Sequence, residues 1–315
     1  MNNNSLAVLL LTNRLVEVDE KPLTAQEIWS LYARIPQIGQ VLDCTAEALV
    51  SKHGLERAEA ERAKKLCDAA TAFTFEMERL EESGVKVLSF LDDRFPKRVT
   101  DALGTKSSAF LLVAGNINLF DKPGRGIVGS RNASEEIISV AQSAANAAIR
   151  QGGVVVSGLA KGVDRVAMSA ALEADGEVIG VPTEGIRRIA KGSEIRNLVH
   201  EGRICLVSPY APDVGFSVGL AMGRNKIVYA LSESTLVVAS DLEKGGTWAG
   251  ADEALKGNFA QVDVWTGEGA TKGNAGLVAK GARSVPSRDE FWLSGFSPAP
   301  AVFDTKPEQL KLSFD

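Results

Sequence analysis

The chain has 315 residues, 45% of them hydrophobic and 24% charged, the proportions of a globular protein long enough for two domains or for one with a substantial attachment. A net charge of −5 excludes coating of nucleic acid by bulk electrostatics and leaves open only a local basic groove. The three cysteines (Cys44, Cys67, Cys205) are widely spaced, and only two histidines (His53, His200) occur. This supports neither a disulfide framework, nor a metal-ligand cluster, nor His-based catalysis, so no metal is expected and a reducing cytoplasm fits.

The first 84 residues read as a helical module. Leu6–Leu11 (LAVLLL) is too short to span a bilayer and lacks a basic flank, so Leu6–Leu15 is expected to be a buried helix and no membrane association is expected. Thr24–Ala33 forms a second helix, with Thr24 and Glu27 as a capping box. Residues 36–39 turn, and Thr45–Lys52 is a short helix that Gly54 separates from a long one over Arg57–Glu82. Along that helix Ala63, Leu66, Ala70, Phe73, Met77 and Leu80 alternate at steps of three and four, an apolar stripe for packing. The segment IPQIG (Ile35–Gly39) also resembles the DNA-backbone contact of a helix–hairpin–helix. Val85–Phe90 and Phe110–Val113 are strands that extend a sheet ahead of its core unit.

Residues 125–164 organise the remainder. Gly126–Val128 is a short strand without polar side chains, as in strands buried on both faces. It stops at Gly129-Ser130-Arg131, and Ser134 caps a helix over Glu135–Arg150 whose first turn carries Glu135 and Glu136. Gly152-Gly153 ends that helix, Val154–Val156 begins the next strand, and Ser157-Gly158-Leu159-Ala160-Lys161-Gly162 makes a second glycine-rich loop. Together they form a right-handed βαβ unit. Strands follow over Glu177–Val181, Ile204–Val207, Thr235–Ala239 and Gln261–Trp265, with helices after Asp164, over Arg224–Leu231 and from Lys244 to Leu255. Between the first two of these strands, Ile186–Arg203 holds five cations against two anions, +3 in an acidic chain. The fold class is therefore α/β: a Rossmann-like, mostly parallel sheet over 85–285, with helices on both faces and the helical module in front. Residues 286–315, rich in Pro, Ser and Phe, are expected to be a tail that lays aromatics on the sheet or on a partner.

Ligands of open parallel sheets bind outside the carboxyl strand ends, where four segments are expected to meet. These are Gly129-Ser130-Arg131, the loop carrying Ser157, Gly158, Lys161 and Gly162, Arg224-Asn225-Lys226, and Gly245-Gly246-Thr247 behind Lys244. Glycine backbones, hydroxyls and cations in that combination suit a phosphate. Arg187, Arg188 and Lys191 are placed to extend the track. There is neither a G-x-G-x-x-G with a later acidic residue nor a G-x-x-x-x-G-K-[ST], which argues against NAD and against P-loop ATP hydrolysis. No cofactor is expected.

GIVGSR (Gly126–Arg131), SGLAKGVD (Ser157–Asp164) and GRNKIVYALSESTLVVAS (Gly223–Ser240) resemble three ordered blocks of the DprA/Smf group of DNA-processing proteins, within the SMF/LOG Rossmann-like superfamily. Asp92-Asp93-Arg94-Phe95-Pro96 is similar to the group's D-x-x-Y-P entry to the sheet. The resemblance implies single-stranded DNA binding without catalysis, Arg131, Lys161 and Lys226 holding phosphates, hand-over of the strand to the recombinase RecA, and a homodimer. Met168 stands where the group has His, Ser208-Pro209 where it has Ser-Glu, and KGGTWA replaces its S-G-S-L-I-T. The tail is too short for the group's winged-helix module, so a divergent or shortened member is expected. A DprA-like antitoxin or sensor paired with a toxin in phage defence is the alternative binding role. Nucleotide N-glycosidic hydrolysis of the LOG type is the enzymatic alternative, and Gly250 sits where that branch carries its catalytic Glu.

Overall fold

Capping side chains set the first elements. In a computed structural model, which describes residues 1–12 and 15–292, α1 (Asn3–Leu11) starts where the Asn2 side chain accepts the Ser5 N–H. It is shorter than the Leu6–Leu15 helix expected, whose end includes residues 13–14, outside the described residues. α2 (Ala25–Arg34) begins on the full capping box of Thr24 and Glu27. α3 (Ala46–His53) is capped by Thr45 and stopped by Gly54 in the left-handed region at φ 65°. Between α2 and α3 the turn runs on into a 3-10 helix, Ile38–Asp43. Gly39 packs on the start of α1 and donates its N–H to Asn4 Oδ1 at 2.7 Å. The amide that a helix–hairpin–helix would offer to a DNA backbone is thus already bonded.

The long helix expected over Arg57–Glu82 is two, α4 (Arg57–Cys67) and α5 (Ala70–Glu82), separated at Asp68-Ala69. The reason lies in the stripe. Ala60, Ala63, Leu66 and Cys67 bury into a core formed among the N-terminal helices. Phe73 and Leu80 bury instead against the sheet, beside Leu9 and Leu10 of α1. One straight helix cannot aim its apolar face at two cores, and each large side chain buried is worth roughly 1.5–3 kcal/mol. That outweighs the hydrogen bonds lost at a break.

The sheet has nine strands: β1 (Val85–Ser89), β2 (Phe110–Gly115), β3 (Gly124–Gly129), β4 (Val154–Ser157), β5 (Val178–Gly180), β6 (Ile204–Ser208), β7 (Ser234–Ala239), β8 (Gln261–Trp265) and β9 (Arg283–Val285). Their order is β1-β2-β6-β5-β4-β3-β7-β8-β9. β1 and β2 pair antiparallel with each other and β2 pairs antiparallel with β6, while the remaining pairings are parallel. Residues alternate between faces: Ile127, Val155 and Leu206 point into one core, and Val128, Val156 and Val207 into the other. α6 (Lys97–Leu103) follows β1, and α7 (Glu135–Arg150) and α8 (Val163–Glu173) cover the first face. α9 (Ile186–Ala190) and α10 (Ser193–His200) lead to β6 on that same face. α11 (Val218–Ala230), α12 (Gly245–Gly257) and α13 (Lys272–Ala279) cover the opposite face.

Two features differ from expectation or were not foreseen. α11 begins at Val218, capped by the Ser217 side chain, and not at Arg224. Its first turns project beyond the core, with Val218 and Met222 exposed, so no buried stripe announces them. α13 and β9 were not foreseen. In a segment rich in glycine, α13 is pinned by Asn274, which donates to the carbonyls of Val238 and Trp265 and accepts the Ser240 N–H. Of the expected tail, Phe291 packs on Trp265 and Trp292 donates its indole N–H to the Ala144 carbonyl at 3.0 Å; residues 293–315 lie outside the described residues. Among the described residues no helix is long and apolar enough to cross a membrane, and no cluster of three His, Cys, Asp or Glu side chains is placed to hold a metal ion.

Candidate nucleic-acid interface

From β3 the chain winds outward through β4, β5 and β6 by helices on one face, then returns to the other side of β3 as β7 by way of α11. The winding direction reverses between β3 and β7. Adjacent loops diverge at such a point and leave a crevice at the carboxyl ends. The loops flanking it are Gly129–Ala133 after β3 and Ser240–Lys244 after β7, with the β4 loop alongside.

These loops are bound to one another more tightly than a ligand-lined opening requires. The Thr247 hydroxyl at the start of α12 donates to the Gly129 carbonyl at 3.1 Å. Asn225 of α11 donates to the Gly246 carbonyl at 2.8 Å. The Val163 N–H donates to the Ser130 carbonyl, and Gly162, at φ 82°, lies so close to Ser130 and Arg131 that a Cβ would overlap their backbone. Beneath them the Asp164 carboxylate accepts the Gly158 N–H at 3.2 Å, and the Gly129 and Ala160 amides also favour its charged form. Arg224 lies at 3.8 Å from that carboxylate, with side chains only 5% and 8% exposed for Arg224 and Asp164. Burial pushes the Asp164 carboxyl above its ordinary value against the pull of Arg224, and pushes the Arg224 guanidinium below its own. Burial also raises the nearby Tyr210 hydroxyl to about 12; that hydroxyl donates to the Leu220 carbonyl at 2.7 Å.

Several expected ligand groups are therefore committed elsewhere. Ser157 is fully buried, its hydroxyl donating to the Ile127 carbonyl at 2.6 Å inside the sheet. Gly158 is a glycine because the Arg224 guanidinium covers it: a Cβ there would fall within that group. Arg224 itself lies in mid-helix, facing the core, and not at a helix N-terminus. Arg187 pairs with Glu76 of α5 and with Asp213, and Arg188 pairs with Glu184. Ser130 turns its hydroxyl on Asn132, accepting that residue's N–H and donating to its carbonyl.

What remains open is a different set. Arg131, Lys161 and Lys244 are exposed and Lys226 half-buried. Among the described residues none of the four forms an ion pair. Lys191 is exposed as well, at the end of α9. The Arg131 guanidinium sits over the Phe216 ring, 5.8 Å from its centroid, and that ring is 50% exposed. Lys244 is the N-cap of α12 without a side-chain cap of its own, and Gly245 follows at φ 79°. Asp164 and Phe216 are the contributors that sequence reasoning missed. Asp164 had a signal, a carboxylate directly after a glycine-rich loop, whereas Phe216 stands alone in an irregular stretch.

Comparison with known proteins agrees with this architecture. DNA processing protein DprA of Bacillus subtilis is 28% identical over 223 residues, 67% of this chain and 71% of that protein. Its namesake from Streptococcus pneumoniae is 29% identical over 206 residues, 63% of this chain and 70% of that one. The solved structure of DNA processing protein A from Streptococcus pneumoniae superposes with a TM-score of 0.68 at 21% identity, covering 92% of this chain and 96% of the other. A structure of DNA processing protein A from Helicobacter pylori, reported for its single-stranded DNA binding mode, gives 0.54 at 24% identity over 66% and 93% of the two chains. With residues 86–294 matching the family model for DNA recombination-mediator protein A, the chain belongs to that family.

Proposed function

We propose that this protein binds single-stranded DNA across the carboxyl ends of its sheet and performs no chemistry on it. The observation that carries the reading is the set of cations Arg131, Lys161, Lys226 and Lys244, without an ion pair among the described residues, together with the exposed Phe216 ring under Arg131. Single-strand binding uses this combination of cations for phosphates and rings for unpaired bases. The single-stranded DNA binding reported for the Helicobacter pylori protein supports the same reading. Protection of the strand and its transfer to RecA, as a homodimer in the cytoplasm, is the role to which that binding belongs.

Glycosidic hydrolysis is disfavoured on the residues at the expected catalytic place. A Cβ at Gly250 would lie 3.0 Å from the Asn225 side chain, so a carboxylate there would displace the bond that ties α11 to α12. Glu253 is exposed further along α12.

Fluorescence anisotropy of a labelled oligonucleotide over a salt series tests the proposal. Wild type is expected to bind with strong salt dependence, and Arg131→Ala/Lys161→Ala to lose about tenfold in affinity at low salt. Absence of wild-type binding at low salt would sink the reading.

A further inference from the structure

Glycine-rich loops at strand ends commonly hold a phosphate in a nest of backbone amides. Here that nest is full. The Asp164 carboxylate accepts the Gly158 N–H at 3.2 Å, and the amides of Gly129 and Ala160 also favour its charged form. Arg224, 4% exposed, lies beside the carboxylate and keeps a buried Nε without a partner. We infer that Asp164 is a built-in anion occupying the phosphate nest, and that it makes the site selective for the phosphates of a polymer over the phosphate of a mononucleotide. The inference rests on the DNA-binding reading above.

The selectivity follows from depth. An external phosphate finds no room beneath the two loops while the Asp164 side chain, under the Gly158 amide and beside Arg224, occupies that space. It stays at the level of the exposed Arg131 and Lys161 side chains. Exposed ion pairs contribute roughly 0.2–1 kcal/mol each, too little to hold one phosphate. A strand that places several phosphates along the face adds such contacts together. The carboxylate also repels any phosphate directly above it.

Asp164→Ala tests this, since it empties the nest and leaves the Gly158 amide and Arg224 facing a cavity. Inorganic phosphate is expected to raise the melting temperature of Asp164→Ala by several degrees over chloride at equal ionic strength, and to leave wild type unchanged. Titration calorimetry with dAMP is expected to show binding to the variant at least about tenfold tighter than to wild type, the equivalent of one charge-assisted hydrogen bond. Asp164→Asn keeps the shape and removes the charge. It leaves the nest filled but lifts the repulsion, so it should gain in the same direction by a smaller factor, which covers the case in which the alanine variant does not fold. Equal phosphate shifts in variant and wild type, or wild-type dAMP affinity matching that of an oligonucleotide, would overturn the inference. Anisotropy of the wild type with an oligonucleotide is the separate arm. If it fails, the DNA reading falls, while phosphate capture by the variants still reports whether Asp164 fills the nest.

Discussion

Two groups of cations in this protein resemble each other in sequence and differ in the fold. Ile186–Arg203 carries five cations against two anions, yet most of that charge is neutralised. Arg187 meets Glu76, a residue 111 positions earlier, Arg188 meets Glu184, and Arg203 lies 3.7 Å from Glu201 while donating to the Leu172 and Gly176 carbonyls. Arg131, Lys161, Lys226 and Lys244 are scattered over more than a hundred residues and form no ion pair among the described residues. A positive run in a sequence is a local sum, whereas the charge a phosphate meets depends on which carboxylates the fold brings near. Pairing, and not density, separates a structural cation from a binding one.

The largest effect expected from this contrast concerns Arg224, the most buried of the cations read as ligands. Arg224→Ala leaves the Asp164 carboxylate uncompensated under the loops and is expected to lower unfolding free energy by about 3–5 kcal/mol, the usual consequence of breaking a buried pair from one side. Arg188→Ala, at an exposed pair, is expected to change it by no more than about 0.5 kcal/mol. Urea denaturation of the two variants measures the difference. Similar values for both would mean that Arg224 is a free ligand cation after all.

Arg224 also marks where sequence reading reaches its limit. The strand–loop–helix order from β3 to α8 was legible because each boundary has a local cause: Ser134 caps α7, Gly152 releases it, and strands buried on both faces carry unbroken apolar runs. The break between α4 and α5 was not, because a single periodic stripe serves two cores and periodicity does not say which core a residue faces. The site was legible in its loops and not in its side chains. Ser157 and Arg224 have the residue types of ligands, and only the Ile127 carbonyl and the Asp164 carboxylate reveal that they are committed. Phe216 gave no signal because exposure, not pattern, is what makes it useful.

Binding sharpens the comparison further. Each phosphate contact to a single strand adds about 0.7 to the slope of log affinity against log salt. Arg131→Ala/Lys161→Ala is therefore expected to flatten the slope by about 1.4, and Arg187→Ala/Arg188→Ala to leave it unchanged. Glu76→Gln tests the same idea in reverse. It frees Arg187 from its carboxylate on α5, so the slope should steepen by about 0.7 while stability falls by about 1 kcal/mol. A flat response to Glu76→Gln would show that Arg187 is held away from the strand by Asp213 and packing alone.

The smallest effect is expected in the helical layer, where Arg62 pairs with Glu27 at 2.7 Å inside the capping box of α2. The Arg62 hydrogen bond, helped by Thr24, holds the Glu27 carboxyl down at about 2 from an ordinary 4.5. A carboxyl depressed in the folded state stabilises at pH values above its unfolded value, and that contribution is lost as pH falls from about 4.5 toward about 2. The Glu27 side chain is 43% exposed, so solvent screening limits the contribution to about 1 kcal/mol or less. Glu27→Gln should therefore be slightly less stable than wild type at neutral pH, with the gap closing through that acid window. Salt separates this pair from the open cations at the strand ends. Raising ionic strength should weaken DNA binding by orders of magnitude while moving the Glu27→Gln difference by only a fraction of itself, since a hydrogen-bonded pair in contact is screened far less than phosphates held at an exposed face.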